Sequence, residues 1–142
     1  MNYRNLEFKR DCEGIDWLNV LELFRLADLG GREGDKVRRA FQRSDLVVFA
    51  FDGTTVIGAA RALSDFEYHA TIYDVVVHPD HQRRAVGTRL VQELLSALPV
   101  WRVLLVADAE VRPFYERLGF ELYGDVLAKV DAARLSDPGW SN

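Results

Sequence analysis

A chain of 142 residues, 49% hydrophobic and 28% charged, is the size of one domain and buries roughly two-thirds of the surface its unfolded form exposes. That composition excludes a disordered or fibrous chain, and a formal net charge of -4 supplies no general attraction to nucleic acid. A single cysteine, Cys12, excludes an internal disulfide, and no cysteine–histidine spacing suggests a metal site. The expectation is one domain over residues 1–142, with Cys12 a small apolar residue in or near the first strand. The N-terminus is too polar for a signal peptide and no apolar run nears ~18 residues, so no membrane partner and a cytoplasmic location are expected.

Residues 5–11 read as a short first strand. Apolar positions Ile15, Leu18, Leu21, Phe24 and Ala27 then recur at helical spacing, and Gly30 and Gly31 stop that helix. Asp35 is the expected N-cap of a second helix through Arg43, with Val37, Ala40 and Phe41 facing inward. From Leu46 the period changes: two β runs, 46–51 and 54–63, flank Asp52 and Gly53, a dipeptide suited to a tight hairpin turn. A third β run covers 70–77 and ends before Pro79. Residues 86–98 place Val86, Leu90, Val91, Leu94, Leu95 and Leu98 on one helical face, closed by Pro99. The apolar run 102–107 predicts a strand buried on both faces. A brief helix follows, with Pro113 in or near its first turn and Gly119 at its C-terminal left-handed position. Residues 120–123 and 126–130, around Gly124 and Asp125, predict a closing hairpin, and the tail containing Trp140 reads as a frayed end. The order is β-α-α-β-β-β-α-β-α-β-β, a mixed sheet with helices on its faces.

One junction carries chemistry. The apolar run 70–77 passes through a polar loop into the 86–98 helix, so unpaired N–H groups of the helix start face the end of a sheet. His81, Arg83 and Arg84 crowd the positive end of the helix dipole, where basic side chains are unfavourable unless an anion neutralises them. Gly87, and less completely Ala85, leave room for a ligand to approach the main chain, as a pyrophosphate held by backbone donors requires.

Here the residues become recognisable. Gln82, Arg83, Arg84, Ala85, Val86 and Gly87 resemble the Q/R-x-x-G-x-G/A signature of the GCN5-related N-acetyltransferase (GNAT) family, with Val75, Val76, Val77, His78 and Pro79 similar to the strand that leads into it. Ala85 departs from the usual glycine; an alanine fits if its φ is negative, as at a first helical residue. Residues 114–120 are similar to the family's late helix and strand, and the element order matches nearly the whole chain. The resemblance implies an α+β fold with a mostly antiparallel central sheet. It implies acetyl-coenzyme A as cosubstrate, held by Gln82, Arg83, Arg84, Ala85, Val86, Gly87 and Thr88. The pantetheine arm would lie beside the main chain of Val75, Val76 and Val77. Asp108 falls where many relatives bond the pantetheine, and is equally an N-cap for the last helix.

The implied reaction moves acetyl from the thioester to a primary amine, of a small molecule or of a lysine or peptide. Tyr115 matches the family's general acid; a phenol of pKa about 10 stays protonated at neutral pH. An amine must lose a proton before attack, and Asp74, an acid inside a β run, is a candidate base or else a salt-bridged structural carboxylate. Thr71 stands where some relatives carry a basic glutamate, and Glu67 or a water chain are further candidates. Tyr68, Tyr73, Phe66 and Trp17 form either an aromatic acceptor wall or ordinary packing. His69, His78 and His81 read as loop residues around the third β run rather than catalytic groups. Two alternatives use the same loop: a coenzyme A-binding module without catalysis, and a doubly wound nucleotide-binding domain, which three successive β runs disfavour. A homodimer on the closing hairpin or sheet edge is compatible with this pattern.

Overall fold

In the computed structural model, residues 6–27, 29, 32–82, 85–131 and 133 are described. The chain runs β1 (Leu6–Lys9), α1 (Trp17–Leu26), α2 (Gly34–Gln42), β2 (Leu46–Asp52), β3 (Thr55–Ser64), β4 (His69–Val77), a 3₁₀ turn (Pro79–His81), α3 (Val86–Ser96), β5 (Arg102–Leu105) and α4 (Arg112–Glu116). The strands form one sheet in the order β1-β2-β3-β4-β5, antiparallel throughout except for the β4–β5 pair. β2, β3 and β4 meet through short turns, α1 and α2 lie between β1 and β2, and the α3 crossover returns β5 parallel to β4. The fold is α+β, as expected.

The start of α1 follows side-chain chemistry. Asp16 caps α1, its Oδ1 accepting from the N–H groups of Leu18 and Asn19 at 3.1 and 3.3 Å, so the helix begins after Ile15. The expected cap Asp35 instead lies inside the first turn of α2, where it favours the helix dipole and pairs with Arg38. Gly30 and Gly31 lie outside the described residues. The β2–β3 turn falls one residue later than expected: Asp52 pairs with Thr55, and Gly53 takes φ +62°, the left-handed value a primed hairpin turn needs at its first position.

The sheet separates two apolar clusters. Against α1 and α2, Phe24, Phe41 and Phe49 are fully buried, and Trp17 packs edge-on to Phe49. Burying each large side chain contributes about 2 to 3 kcal/mol. Cys12 packs at the margin of this cluster, where burial pushes its thiol up. On the opposite face α3 seats Val86, Leu90, Val91 and Leu94 on Val48, Ala50, Ile57 and Ala60. Alternation in β2 and β3 supplies both faces, and the small residues of β3 let α3 approach closely.

The expected closing hairpin does not form. Phe120 donates its N–H to the Tyr115 carbonyl, Gly119 adopts φ +95° at the end of α4 as expected, and residues 121–131 run exposed without strand pairing. Strand propensity alone does not make a strand; it needs a partner ladder for its N–H and C=O groups. In consequence β5 has, among the described residues, a neighbour on one side only and is half-buried, not buried on both faces. Trp140 lies outside the described residues. No helix among the described residues is long and apolar enough to cross a membrane.

A Cβ at Gly58 would stand 3.0 Å from Leu90 Cδ1 and 3.2 Å from Val86 Cγ1. Gly58→Val should therefore cost about 1 to 3 kcal/mol in a denaturant melt by forcing α3 off the sheet. Unchanged stability would show that α3 shifts without cost.

Candidate functional site

The site begins with a strand pair that parts. β4 and β5 pair only from His69–Arg102 to Ile72–Leu105, after which β4 continues through Val77 with no strand on that side among the described residues. The β5-side main-chain groups of residues 73–76 thus have no strand partner among the described residues, which leaves room for a ligand that runs like a strand. A bulge sharpens the parting: Arg61 pairs with Asp74 and Ala62 with Ile72, so Tyr73 is an extra residue in β4. Ile72 packs on the α3 face, yet Asp74 and Val76 turn to the α1/α2 face while Val75 and Val77 return to the α3 face. In an unbulged strand Ile72, Asp74 and Val76 would share one face.

The loop that leaves this cleft enters α3. Gln82 Nε2 donates to the Val77 carbonyl at 3.3 Å, tying loop to strand. Arg83 and Arg84 lie outside the described residues. Ala85 is the α3 N-cap with φ +61°, ψ +14°, a left-handed backbone, so the expectation of negative φ there is corrected. Its left-handed turn explains why glycine suits this position: a Cβ there crowds the following carbonyl at roughly 1 to 2 kcal/mol. The first α3 bond runs from the Arg89 N–H to the Ala85 carbonyl at 3.0 Å, and the N–H groups of Val86, Gly87 and Thr88 precede it with no intrahelical acceptor. They are donors aimed beyond the helix start, beside the open β4 edge, and α3 has no side-chain cap.

Gly87 serves packing as much as access. A Cβ on it would meet Phe114 Cζ at 3.3 Å and Val77 Cγ2 at 3.5 Å, so the missing side chain is the seat of α4. Phe114 in turn packs edge-on to Tyr115 at 4.9 Å, and Tyr115 to Phe120 at 5.8 Å. This aromatic stack joins the α3-side cluster and holds Tyr115 half-buried, where burial pushes its phenol up from 10.0 to about 12. Asp108 forms the capping arrangement, its Oδ1 accepting from the Glu110 and Val111 N–H groups at 3.0 and 3.3 Å ahead of α4.

Asp74 is 3% exposed and holds two guanidiniums: Arg61 Nε donates to Oδ2 at 2.6 Å and Arg32 Nη1 to Oδ1 at 2.9 Å. Arg61 lies over the Tyr73 ring and Arg32 over the Phe24 ring. This is the salt-bridged arrangement, with both oxygens engaged, and it sits on the α1/α2 face, whereas Tyr115 packs on the α3 face. Nothing in the local sequence named Arg32 or Arg61 among the 18 lysines and arginines; the available signal was that an acid in a β run needs a cation.

Glu67 is exposed in the β3–β4 turn, where its N–H donates to Asp65, and Thr71 is half-buried within the β3, β4, β5 ladder. Of the four aromatic residues, Trp17 belongs to the α1/α2 core, while Phe66, Tyr68 and Tyr73 are exposed. His78 Nδ1 accepts from the Asp80 N–H, fixing the 3₁₀ turn. No group of three acidic, histidine or cysteine side chains is placed to hold a metal among the described residues.

Residues 15–120 match the model of the Acetyltransferase (GNAT) family. The chain is similar to an uncharacterized N-acetyltransferase, ycf52, of Porphyra purpurea, 34% identical over 113 residues that cover 72% of this chain and 65% of that protein. It is also similar to the chloroplastic serotonin N-acetyltransferase 2 of Oryza sativa subsp. japonica, 28% identical over 87% of this chain and 66% of the relative. The chain thus spans about two-thirds or less of the length of these curated relatives. A Deinococcus radiodurans crystal structure described as an acetyltransferase superposes with a TM-score of 0.81 at 26% identity, covering 91% of each chain.

Two substitutions test the geometry. Asp74→Asn leaves two buried guanidiniums facing a neutral amide and should lower stability by about 3 kcal/mol, with no recovery on raising pH. A stable variant whose turnover returns at high pH would instead give Asp74 the base role. Ala85→Gly should raise stability by about 0.5 to 1 kcal/mol, the left-handed relief exceeding the added chain entropy. A destabilised Ala85→Gly in a thermal melt would show that this position is not left-handed in solution.

Proposed function

The chain belongs to the GNAT acetyltransferase family, and we propose that it is an N-acetyltransferase moving acetyl from acetyl-coenzyme A to a primary amine by direct attack in a ternary complex. The observation that carries this reading is the parting of β4 from β5 after Ile72 and Leu105, beside the unpaired amides of α3. An extended pantetheine arm fits the open β4 edge through main-chain groups of Val75, Val76 and Val77. The pyrophosphate fits the α3 start, where the N–H groups of Val86, Gly87 and Thr88 and the positive helix end favour an anion. Gln82 shapes that loop, and Arg83 and Arg84 add charge from the sequence. Asp108 acts by holding the turn before α4.

Tyr115 is the group assigned to the leaving thiolate. Its phenol at about 12 keeps its proton across the working pH range. Full transfer to a thiolate whose acid lies near ~8.5, by analogy with cysteine, is uphill. Tyr115 therefore works as a hydrogen-bond donor at its Oη, lowering the charge on sulfur as the carbon–sulfur bond breaks. Nitrogen forms the new bond to the acetyl carbon, and the proton it must shed balances the departing thiolate. Of Val76 and Val77, the ladder turns the Val76 N–H toward β3, so the Val77 N–H is the candidate donor to the acetyl oxygen. Asp74 positions the strand through Arg32 and Arg61, and the amine's proton passes to water, directly or by way of Glu67.

The rice relative's name, together with exposed Phe66, Tyr68 and Tyr73, makes arylalkylamines the first acceptors to test. Thiol release is measured with acetyl-coenzyme A across arylalkylamines, small amines, aminoglycosides and lysine peptides, alongside coenzyme-dependent melting shifts. Tyr115→Phe should keep the melting shift and lose roughly 10- to 10³-fold in turnover, without rescue at higher pH. Full turnover in Tyr115→Phe would remove its role. A melting shift with no turnover on any amine would assign the coenzyme-binding module without catalysis.

A further inference from the structure

Charge is unevenly spread along the chain. Residues 32–43 carry five basic side chains against two acidic ones, a net +3 in a chain whose formal net charge is -4, so the remaining residues carry -7. Most of that positive charge lies on α2. Val37 and Phe41 turn its inner side into the core, while Lys36, Arg38, Arg39 and, at the C-cap, Arg43 are exposed on the outer side. Lys36, Arg39 and Arg43 stand at i, i+3 and i+7, a single stripe roughly 10 Å long.

Other exposed arginines are matched by acids. Arg10 and Arg89 both hold Glu93, Arg25 holds Glu22, and Arg38, at the flank of the stripe, holds Asp35. Arg39 and Arg43 hold no carboxylate among the described residues, in a chain with 22 acidic side chains. A basic last turn suits the helix dipole, which explains their sign but leaves their guanidiniums without a counter-charge.

The stripe ends beside the opening in the sheet. Ser44 directly follows Arg43, and its Oγ accepts from Arg61 Nη1 at 3.4 Å. The same guanidinium lies over the Phe41 ring of α2 and the exposed Tyr73 ring of β4. One arginine therefore spans from the end of α2 to the first β4 residue beyond the pairing with β5.

We propose that the outer face of α2 is a docking surface for an acidic segment of another polypeptide, which it seats beside the mouth of the β4 opening. Side chains on one face of an extended segment recur about 7 Å apart, close to the ~6 Å rise from Arg39 to Arg43. Acids at alternate positions thus meet the two guanidiniums in register. Each guanidinium takes a carboxylate through two parallel N–H donors. Two observations favour a polypeptide over a nucleic acid. The -7 on the rest of the chain repels a long polyanion, and the aromatic residue of α2, Phe41, is buried and offers no ring for base stacking.

The test uses the full chain and a fluorescently labelled peptide of alternating glutamate and serine, with binding read by anisotropy. The peptide should bind, and raising ionic strength from roughly 0.05 to 0.3 M should weaken it several-fold by screening exposed charges. Arg39→Glu with Arg43→Glu should weaken binding by about tenfold or more, whereas Arg39→Lys with Arg43→Lys should keep most of it. Arg39→Gln with Arg43→Gln removes the charges without opposing the helix dipole, and should weaken binding in the same direction whatever the reversal does to folding. Arg117→Glu with Lys129→Glu, at exposed positions outside α2, makes the same change in net charge and should leave binding unchanged. The coenzyme-dependent melting shift should persist in every variant, so docking and coenzyme binding are read separately. Absence of peptide binding would overturn the proposal. So would an equal loss in the Arg117 and Lys129 variant, which would reduce the effect to net charge, or tighter binding of a single-stranded oligonucleotide, which would make nucleic acid the partner.

Discussion

One extra residue in β4 governs the geometry of the site. Tyr73 stands unmatched between the Arg61–Asp74 and Ala62–Ile72 pairs, and every side chain after it changes face. Without it Asp74 would point into the apolar α3 cluster beside Ile72, at the cost of an unpaired charge in a dry core. With it Asp74 meets Arg61 and Arg32, and Val75 and Val77 take the α3 side. Bulges also increase local twist and bend the strand, which is where β4 leaves β5. The irregularity that rescues the charge therefore lies next to the opening between β4 and β5.

The Asp74 cluster and the Gly87 seat then act as two clamps on opposite faces. On one, a single carboxylate ties β4 to β3 and to the connection between α1 and α2 through two guanidiniums stacked on rings. On the other, a missing side chain at Gly87 admits Phe114, and Phe114 places Tyr115. The glycine of the phosphate-binding signature and the tyrosine of the late helix are thus mechanically linked. A larger residue at Gly87 would meet Phe114 and disturb the position of the phenol beside it. The left-handed Ala85 adds backbone strain at the same turn, directly before the amides of α3 that have no intrahelical acceptor.

Beyond α4 a different balance holds. Residues 120–130 have the composition of strands, but a strand's stability is the ladder it joins. Here the ladder ends at β5, and the apolar side chains that a neighbour would cover stay exposed.

By itself the sequence determined what local periodicity and turn chemistry can determine. Five strands and four helices were legible in order, because apolar spacing distinguishes a half-buried helix from a strand and Gly53, Pro79, Pro99 and Gly119 punctuate the chain. The junction of β4 and α3 was legible too, since an apolar run passes there through a polar loop into an amphipathic helix. Tertiary structure decided the rest. Which arginines answer Asp74, 42 and 13 positions away in sequence, depends on which segments the fold brings together. The sign of φ at Ala85 follows from how the loop must turn between β4 and α3. The purpose of Gly87 depends on where Phe114 arrives, and whether residues 120–130 become strands depends on a partner edge. Each is a long-range or steric condition, and a linear pattern of residue types carries no record of it.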